Sequence, residues 1–450
     1  MNLSGYPALK SSGVPWLGDV AVDWDVQPLK YLVITRVTDG PHATPDIFSE
    51  GIPFVSAEAI NHGRINFDKI RGHITEEDHK SFSKKYKPQR GDIYLVKSGA
   101  TTGRIAIVET DAEFNIWSPL AAIRCDPTIV TPYFLYFYMH SREFQTGIEL
   151  SWSFGTQQNI GMGVIENLDV PLPSLSEQKQ IAAFLNWKTG QIDALIARKQ
   201  ALLEKLKEKR IAVITQAVTK GFNPAAPMRD SGIPCLGQVP QHWAVKRLKF
   251  CVSKVGSGVT PKGGAEAYEL SGIPLFRSQN IHFDGLRLDD IVFISEETHS
   301  DMSNSQVASG DVLLNITGAS IGRCYYVPEN FGEGNVNQHV TIIRPEAEML
   351  TRFLHLVICS DVGQTQIDLE QSGSGREGLT FFAIKNFVVA LPDLSEQAEI
   401  VRKVASQLSR VDALQLKVES AIAKLTEYRT ALITAATTGK IDVRNVKAPT

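Results

Sequence analysis

The chain has 450 residues, of which 43% are hydrophobic and 21% are charged. This length exceeds what one compact core normally holds, so we expect at least two domains. The formal net charge of −3 excludes a chain that is basic throughout. A surface for a polyanion would therefore have to concentrate its cations locally or borrow them from a partner.

The N-terminus shows no signal-peptide pattern, and no apolar run approaches the ~18 residues that span a bilayer. The five cysteines form no CxxC pair and have no histidines at zinc-site spacing. Together these patterns predict a cytoplasmic protein with reduced thiols, without a disulfide framework and without a metal or cofactor of its own.

The sequence contains an internal repeat with a period of about 219 residues. Residues 12–18 (SGVPWLG) return as residues 231–237 (SGIPCLG), and residues 173–178 (PSLSEQ) return as residues 392–397 (PDLSEQ). Shorter matches between these phrases keep the same order: Trp24 with Trp243, Gly91-Asp92 with Gly310-Asp311, Gly103-Arg104 with Gly322-Arg323, Asn115 with Asn335, and Arg124 with Arg344. We infer an internal duplication of a whole domain plus a connector.

In chain order, each half opens with a long segment rich in Gly, Pro and β-branched residues, 1–172 and 221–391. Short apolar runs bounded by glycine, such as residues 92–96 and 104–108, predict strands. Thr131-Pro132 opens an aromatic stretch that predicts a helix. The sequence therefore predicts an α+β fold with two globular α/β domains.

Each half closes with a segment, 173–220 or 392–450, in which proline and a serine N-cap precede a long helix. Apolar residues recur every seven positions, which is typical of a coiled coil. We expect the two helices to pair with each other, antiparallel if two-fold symmetry relates the copies, although two ordinary amphipathic core helices are the alternative. The proposed seam, which is also the predicted partner-binding set, comprises Leu185, Ile192, Leu206, Val404, Val411, Val418 and Leu425, with Lys199 interrupting the first helix.

Catalytic templates are absent from the sequence. There is no GxxxxGK[ST] phosphate loop, no HExxH and no GxSxG. Residues 373–378 (GSGREG) match GxGxxG but follow a polar stretch instead of a strand, and the other repeat lacks these glycines. We therefore predict a protein that is not an enzyme.

Several polar loops carry the side chains that can contact base edges or phosphates. Arginine pairs with guanine and amides pair with adenine, and small residues permit close approach of the backbone. Individually, each loop could equally be a solvated turn. The candidate DNA-binding residues are Lys84, Lys85, Lys87, Ser98, Thr101, Thr102, Arg104, Thr156, Gln157, Gln158, Asn159, Arg277, Ser278, Gln279, Asn280, Thr317, Ser320, Arg323, Asn337, Gln338 and Arg376, with Lys80 and Arg90 flanking the lysine cluster.

The two-unit layout, with WLG-type and PxLSEQ phrases in both halves, resembles the specificity subunits of type I restriction–modification systems. The phrase at residues 165–173 (IENLDVPLP) supports this resemblance, which covers essentially the whole chain. Two departures are Cys235, where the first copy has Trp16, and Lys199 in the heptad line.

The resemblance implies two target-recognition domains that each read one half of an asymmetric bipartite site on double-stranded DNA. It implies that the helices set the gap between the halves and dock two methyltransferase (M) subunits, which use S-adenosylmethionine. Restriction/translocase (R) subunits would use ATP and Mg.

Two other interpretations stay open at this stage. A stand-alone DNA methyltransferase or nuclease would need a cofactor loop or an acidic metal cluster, and neither is found in the sequence. A coiled-coil scaffold without a role on DNA has no need for two copies of polar loops that have diverged.

Overall fold

The structure, a computed structural model, describes residues 4–151, 159–372 and 378–446. The chain divides into two compact units. The first comprises Met1–Gln200 and Ser420–Thr450, and the second comprises Ala201–Glu419. Each unit therefore combines a mixed α/β domain with segments of two long helices.

The first unit begins with short strands; one short helix separates β8 from β9, and three more helices lie between β12 and β13. Its elements are β1 (Leu9–Ser11), β2 (Asp19–Ala21), β3 (Asp25–Pro28), β4 (Thr38–Asp39), β5 (Ile52–Val55), β6 (Ile60–Asn61), β7 (Arg64–Ile65), β8 (Gly72–Ile74), α1 (Glu76–Ser83), β9 (Ile93–Val96), β10 (Ile105–Ile107), β11 (Asn115–Ile116), β12 (Leu120–Ile123), α2 (Pro132–Met139), α3 (Arg142–Leu150), α4 (Met162–Glu166) and β13 (Asp169–Leu172). The long helix α5 (Leu175–Lys220) comes next.

The second unit repeats this order almost element by element. Its elements are β14 (Met228–Asp230), β15 (Gln238–Pro240), β16 (Ala244–Arg247), β17 (Val252–Ser257), β18 (Ile273–Phe276), β19 (Ile281–His282), β20 (Gly285–Leu286), β21 (Val292–Ile294), α6 (Glu296–Asp301), β22 (Val312–Asn315), β23 (Cys324–Tyr326), β24 (Asn335–Val336), β25 (Val340–Pro345), α7 (Thr351–Cys359), α8 (Asp361–Ser372), α9 (Phe381–Asn386) and β26 (Val388–Leu391). The second long helix, α10 (Leu394–Thr437), follows.

The sheets of the two units have the same topology. The first unit has a four-stranded antiparallel sheet in the order β10-β9-β12-β4, and the second has β23-β22-β25-β17. A three-stranded sheet accompanies each, β11-β5-β8 and β24-β18-β21, with one parallel pair in each case. The predicted duplication and α+β class are confirmed.

A buried ion pair stabilises the four-stranded sheet in each unit. Arg124 Nη2 lies 2.7 Å from Asp92 Oδ2 in the first unit. Arg344 Nε lies 2.7 Å from Asp311 Oδ1 in the second. Both aspartates are almost completely buried, so the repeated Gly-Asp phrase and the repeated arginine are structural.

The repeated PxLSEQ phrase ties each domain to its long helix through a fully buried glutamine. Gln178 Oε1 accepts a hydrogen bond from Thr131 N at 2.7 Å, and Gln397 Oε1 accepts one from Leu350 N at 2.8 Å. Each side-chain nitrogen also donates to two backbone carbonyls at 2.8–3.0 Å. This anchoring explains why the phrase occurs twice.

The helices α5 and α10 span 46 and 44 residues, or about 65–70 Å at 1.5 Å per residue. In the first unit Arg429 Nε lies 2.8 Å from Asp193 Oδ1. In the second unit Arg210 forms an ion pair with Asp412. The residue number falls along one helix as it rises along the other, so the helices are antiparallel, as predicted.

Candidate nucleic-acid interface

Three of the predicted loops of the second unit meet at one edge of its four-stranded sheet. Asn315, at the end of β22, is fully buried, and its Nδ2 donates to Ser278 O at 2.7 Å and to Ser320 Oγ at 3.2 Å. Thr317 Oγ1 lies 2.5 Å from His339 Nδ1. Residues 277–280, 315–323 and 337–339 therefore form one surface, the polar edge of the second unit.

The arginine and amides of the 277–280 loop are largely engaged within the protein. Asn280 is fully buried; its Oδ1 accepts from Arg277 N, and its Nδ2 donates to Asp290 Oδ1, both at 2.9 Å. Arg277 Nη2 donates to Asp290 O at 2.6 Å, and Gln279 Nε2 donates to the Asp290 carboxylate. Base contact by Asn280 stays a prediction, and it is the one this geometry favours least.

Other side chains on this edge are better placed for a ligand. Arg323 is half-buried, and within the described ranges its side chain makes no hydrogen bond or ion pair. Gln338 is exposed, and its Nε2 lies 3.0 Å from Nε2 of the neighbouring His339. Asn337 is buried and accepts a hydrogen bond from His339 N at 3.0 Å. Arg323 and Gln338 are therefore accessible polar groups on this edge.

The first unit has the equivalent surface. Lys97 N donates to Pro119 O, and Ile160 N donates to Lys97 O, both at 2.8 Å. Ser98 pairs with Asn159 in an isolated β-bridge. Residues 97–104, 117–119 and 159 therefore form the polar edge of the first unit.

The candidate residues of this edge differ in how freely they can reach a ligand. Thr102 Oγ1 donates to Gly99 O at 2.7 Å, which closes the turn that contains the half-buried Thr101. Arg104 is exposed, and its hydrogen bond to Ile60 O is long, at 3.4 Å. Arg104 is therefore the accessible cation of this turn. Four predicted residues, Thr156, Gln157, Gln158 and Arg376, lie outside the described residues.

The lysine cluster around α1 is largely paired with carboxylates. Lys85 Nζ lies 2.5 Å from Asp39 Oδ1, and Lys87 Nζ lies 2.6 Å from Glu113 Oε1. Burial would raise the pKa of Asp39, but the hydrogen bond and the charge of Lys85 outweigh it and lower that pKa. Lys84 is exposed, and no ion pair involves it in the part of the chain that the structure describes. It is the most available cation of the three predicted here.

The predicted seam residues of the two long helices are buried or half-buried within the two units. Leu185 and Ile192 are buried in the first unit, where Leu425 is half-buried, and Leu206, Val404, Val411 and Val418 are buried in the second. Docking of a partner on these helices stays a prediction, and it would have to use their exposed faces.

A group of side chains that sequence reasoning missed lies in the second unit. Cys324, on β23, meets His355 and Cys359, on α7. The hydrogen bond with Cys324 lowers the pKa of Cys359, although burial opposes it. The spacing of four residues between His355 and Cys359 is the signal that could have indicated this group, because such residues share one face of a helix.

The chain thus contains two copies of one α/β domain, each with a polar loop edge and each held to the antiparallel long helices. The sequence profile of the type I restriction modification DNA specificity domain matches residues 22–208 and again residues 240–424. The chain therefore belongs to the family of type I restriction–modification specificity subunits.

Curated relatives agree with this assignment. The EcoBI specificity subunit of Escherichia coli is 28% identical over 68% of this chain, and the matched part spans 65% of that subunit. The EcoKI specificity subunit of Escherichia coli is 23% identical over 87% of this chain and 82% of its own length. The MjaVIII specificity subunit of Methanocaldococcus jannaschii is 23% identical over 95% of both chains.

The fold is also similar to that of a chain solved in a study of complex assembly and conformational transition of the type I R-M system. The TM-score is 0.69 at 17% identity, and the match covers 94% of this chain and 99% of that chain. Among the described residues, no helix combines the length and the apolar composition that a membrane crossing needs.

Proposed function

We propose that this chain is the non-catalytic recognition subunit of a type I restriction–modification complex. Each unit reads one half of an asymmetric bipartite site on double-stranded DNA. Partner M subunits methylate adenine, and R subunits cleave. The complex acts in the cytoplasm.

The observation that carries this proposal is a polar edge built twice on one scaffold with different side chains. The buried Asp–Arg pairs and anchoring glutamines are equivalent in the two units. The edges differ: Trp117-Ser118-Pro119 stands where the second unit has Asn337-Gln338-His339. Two readers with a common frame and distinct surfaces suit two different half-sites.

The cofactors belong to the partners in this proposal. S-adenosylmethionine binds the M subunits, and ATP and Mg bind the R subunits. Incubating the purified chain with DNA and S-adenosylmethionine tests whether methylation depends on the M subunits. Methyl transfer without partners would identify the chain as a methyltransferase instead.

The decisive experiment exchanges one reader at a time. Residues 221–391 are replaced by the matching segment of a relative with a different known target, and methylome sequencing reads the new motif. We expect one half-site to change and the other to stay the same, because each unit makes its own base contacts. The matched control exchanges residues 1–172, which should change only the other half-site. If both halves change in either exchange, the two-reader proposal is wrong.

Stoichiometry provides an independent test. The anchoring phrase and the helix segment beside it occur once in each unit, which supports two equivalent docking surfaces and two M subunits per chain. Native mass spectrometry of the co-expressed complex should show that ratio. A stable complex with one M subunit would contradict it.

A further inference from the structure

Three potential metal ligands meet in the interior of the second unit. Cys324 Sγ lies 3.4 Å from Cys359 Sγ, and Cys359 Sγ lies 3.2 Å from His355 Nε2. All three ligand atoms lie within 4.8 Å of one another, and all three residues are buried. Three soft or borderline ligand atoms thus surround one point between β23 and α7.

The local structure presents these groups as a metal site would. His355 and Cys359 lie one turn apart on the same face of α7. Cys324 is the first residue of β23 and faces them from the sheet. Ligands of one tetrahedral zinc ion lie about 3.5–3.8 Å apart, given Zn–S and Zn–N distances of about 2.3 and 2.0–2.1 Å. The two observed separations, 3.4 and 3.2 Å, are each shorter than the corresponding value by about 0.3–0.4 Å.

The rings of two tyrosines hold the imidazole in place. The centroids of Tyr325 and Tyr326 lie 5.1 and 5.4 Å from that of His355, both edge-on. A ligating histidine normally has its ring orientation fixed by a hydrogen bond from its second ring nitrogen, and here aromatic packing restricts the ring. This packing provides such an orientation.

The first unit shows that the fold does not require this group. The matched pairs Gly103 with Gly322 and Gln145 with Gln364 set the register. In that register, Ile105, Tyr136 and His140 replace Cys324, His355 and Cys359. An isoleucine and a tyrosine pack the same space, so two thiols and an imidazole are not needed to fill it.

We propose that Cys324, His355 and Cys359 bind one soft d10 cation, Zn²⁺ or Cu⁺, which ties α7 to the four-stranded sheet of the second unit. Thiolate and imidazole ligands select these ions over Mg²⁺ and Ca²⁺. Zn²⁺ would add a water as its fourth ligand, whereas Cu⁺ accepts three ligands. This site departs from the sequence expectation that the chain binds no metal.

Elemental analysis of the full chain, purified without chelators and without oxygen from cells supplied with zinc and copper, tests the proposal. We expect about one ion per chain, and its identity distinguishes zinc from copper. Cys359→Ser and Cys324→Ser should lower the bound metal at least about tenfold, since even loss of an outer-shell contact typically costs 10–100-fold in affinity. Cys251→Ser is the control, because Cys251 is buried in the same unit but lies outside the group. Metal retained in both ligand variants would overturn the proposal.

A second measurement avoids variants that fail to fold. Metal-free wild-type chain, checked for its fold by circular dichroism, is titrated with Co²⁺. We expect a thiolate-to-cobalt charge-transfer band that saturates at about one equivalent and disappears on addition of Zn²⁺ or Cu⁺. A folded wild-type chain that shows neither the band nor any bound metal would overturn the proposal. A Cys324–Cys359 disulfide detected in the oxygen-free preparation would also overturn it.

Discussion

The two units keep the same internal hydrogen bonds and differ in the side chains around them. Both contain the buried Asp–Arg pair, the anchoring glutamine, and a glutamine that donates to the Gly-Arg turn, Gln145 to Gly103 O and Gln364 to Gly322 O. A histidine to asparagine contact also recurs, at 2.6 and 2.5 Å. At least one partner in each of these contacts is buried, so removing the other leaves a buried polar group unsatisfied.

The differences lie where the scaffold imposes no such requirement. On the polar edge, Trp117 packs under the Arg71 guanidinium at 4.1 Å, whereas its equivalent, Asn337, hydrogen-bonds within its own turn. At α2 the first unit has Tyr136 and His140, where α7 of the second unit has His355 and Cys359. Buried polar contacts therefore maintain the fold that the two units share, while the loops on this fold have diverged.

The largest effect should come from breaking the shared ion pairs. Asp92 accepts hydrogen bonds from Arg124, from Tyr86 Oη at 2.5 Å and from Gln89 N at 2.8 Å. Asp92→Ala should destabilise the first unit by about 3–5 kcal/mol, because it leaves a partly buried arginine without its partner. Asp311→Ala should destabilise the second unit by less, because Arg344 is 37% exposed and Arg124 only 23%.

Hydrogen exchange measured by mass spectrometry checks this prediction, since it reports the stability of each unit separately. Asp111→Ala is the control: its pair with Arg90 is exposed on both sides, so solvent screens it and its loss should change stability little. An equal loss of stability in Asp92→Ala and Asp111→Ala would show that the buried ion pair does not stabilise the first unit.

The anchoring glutamines should give a smaller and nearly equal effect in the two units. Gln178→Ala and Gln397→Ala each remove three hydrogen bonds and leave a partly buried backbone N–H without its acceptor. We expect a loss of about 2–3 kcal/mol in each unit. The same exchange measurement compares them. Losses that differ by more than about 1 kcal/mol would mean that the two anchors are not equivalent.

Most of the fold could be predicted from the sequence because duplication marks the shared frame. The recurrence of Gly-Asp, of Arg124 with Arg344 and of the PxLSEQ phrase indicated positions that the structure shows to be buried contacts. Heptad spacing predicted the long helices, because apolar residues at this spacing lie on one face of a helix and that face is buried. The local sequence pattern was therefore sufficient to predict those parts of the fold in which the repeated residues are buried.

The site was harder to predict because exposure and pairing depend on residues distant in sequence. Asn280 has the amide that suits adenine, but the fold buries it against Asp290. Lys85 looks like a phosphate ligand, but it pairs with Asp39, 46 positions away. Cys324 and Cys359 lie 35 positions apart, and only the packing of β23 on α7 brings them together.

The pH dependence of stability should distinguish the two units. Burial lowers the pKa of His140 to about 4, against the opposing effect of its hydrogen bond with Tyr136 O. Because the folded-state pKa lies below the usual value of about 6.5, this histidine's contribution is complete above pH 6.5 and decreases as the pH falls toward 4. We expect the first unit to lose about 1–2 kcal/mol between pH 7 and pH 5 from this group.

His140→Gln should remove that component of the pH dependence. Hydrogen exchange at the two pH values measures the difference between variant and wild type, which cancels the other titrating groups. The second unit, with Cys359 at the equivalent position, serves as the internal control. A pH dependence that is the same with and without His140 would contradict this prediction.

The smallest effects should come from the polar edges, where the comparison bears on function. Arg104 and Arg323 occupy equivalent turns, and neither is paired with a carboxylate among the described residues. If both contact phosphates in the assembled complex, Arg104→Ala and Arg323→Ala should each weaken DNA binding about three- to tenfold. Each should also reduce the slope of log K against log salt by about 0.9. Binding measured across a range of salt concentrations gives both quantities.

Arg90→Ala is the matched control, because Arg90 is exposed but already paired with Asp111 at 2.8 Å. A change of slope in only one of the two edge variants would show that the units have diverged in how they hold the backbone as well as in what they read. An unchanged slope with relaxed specificity at one position would identify that arginine as a base reader, since a bidentate contact with guanine discriminates by about 1–3 kcal/mol without depending on counterion release. If neither variant differs from Arg90→Ala, the DNA lies elsewhere on the units, and the divergence of the polar edges has another cause.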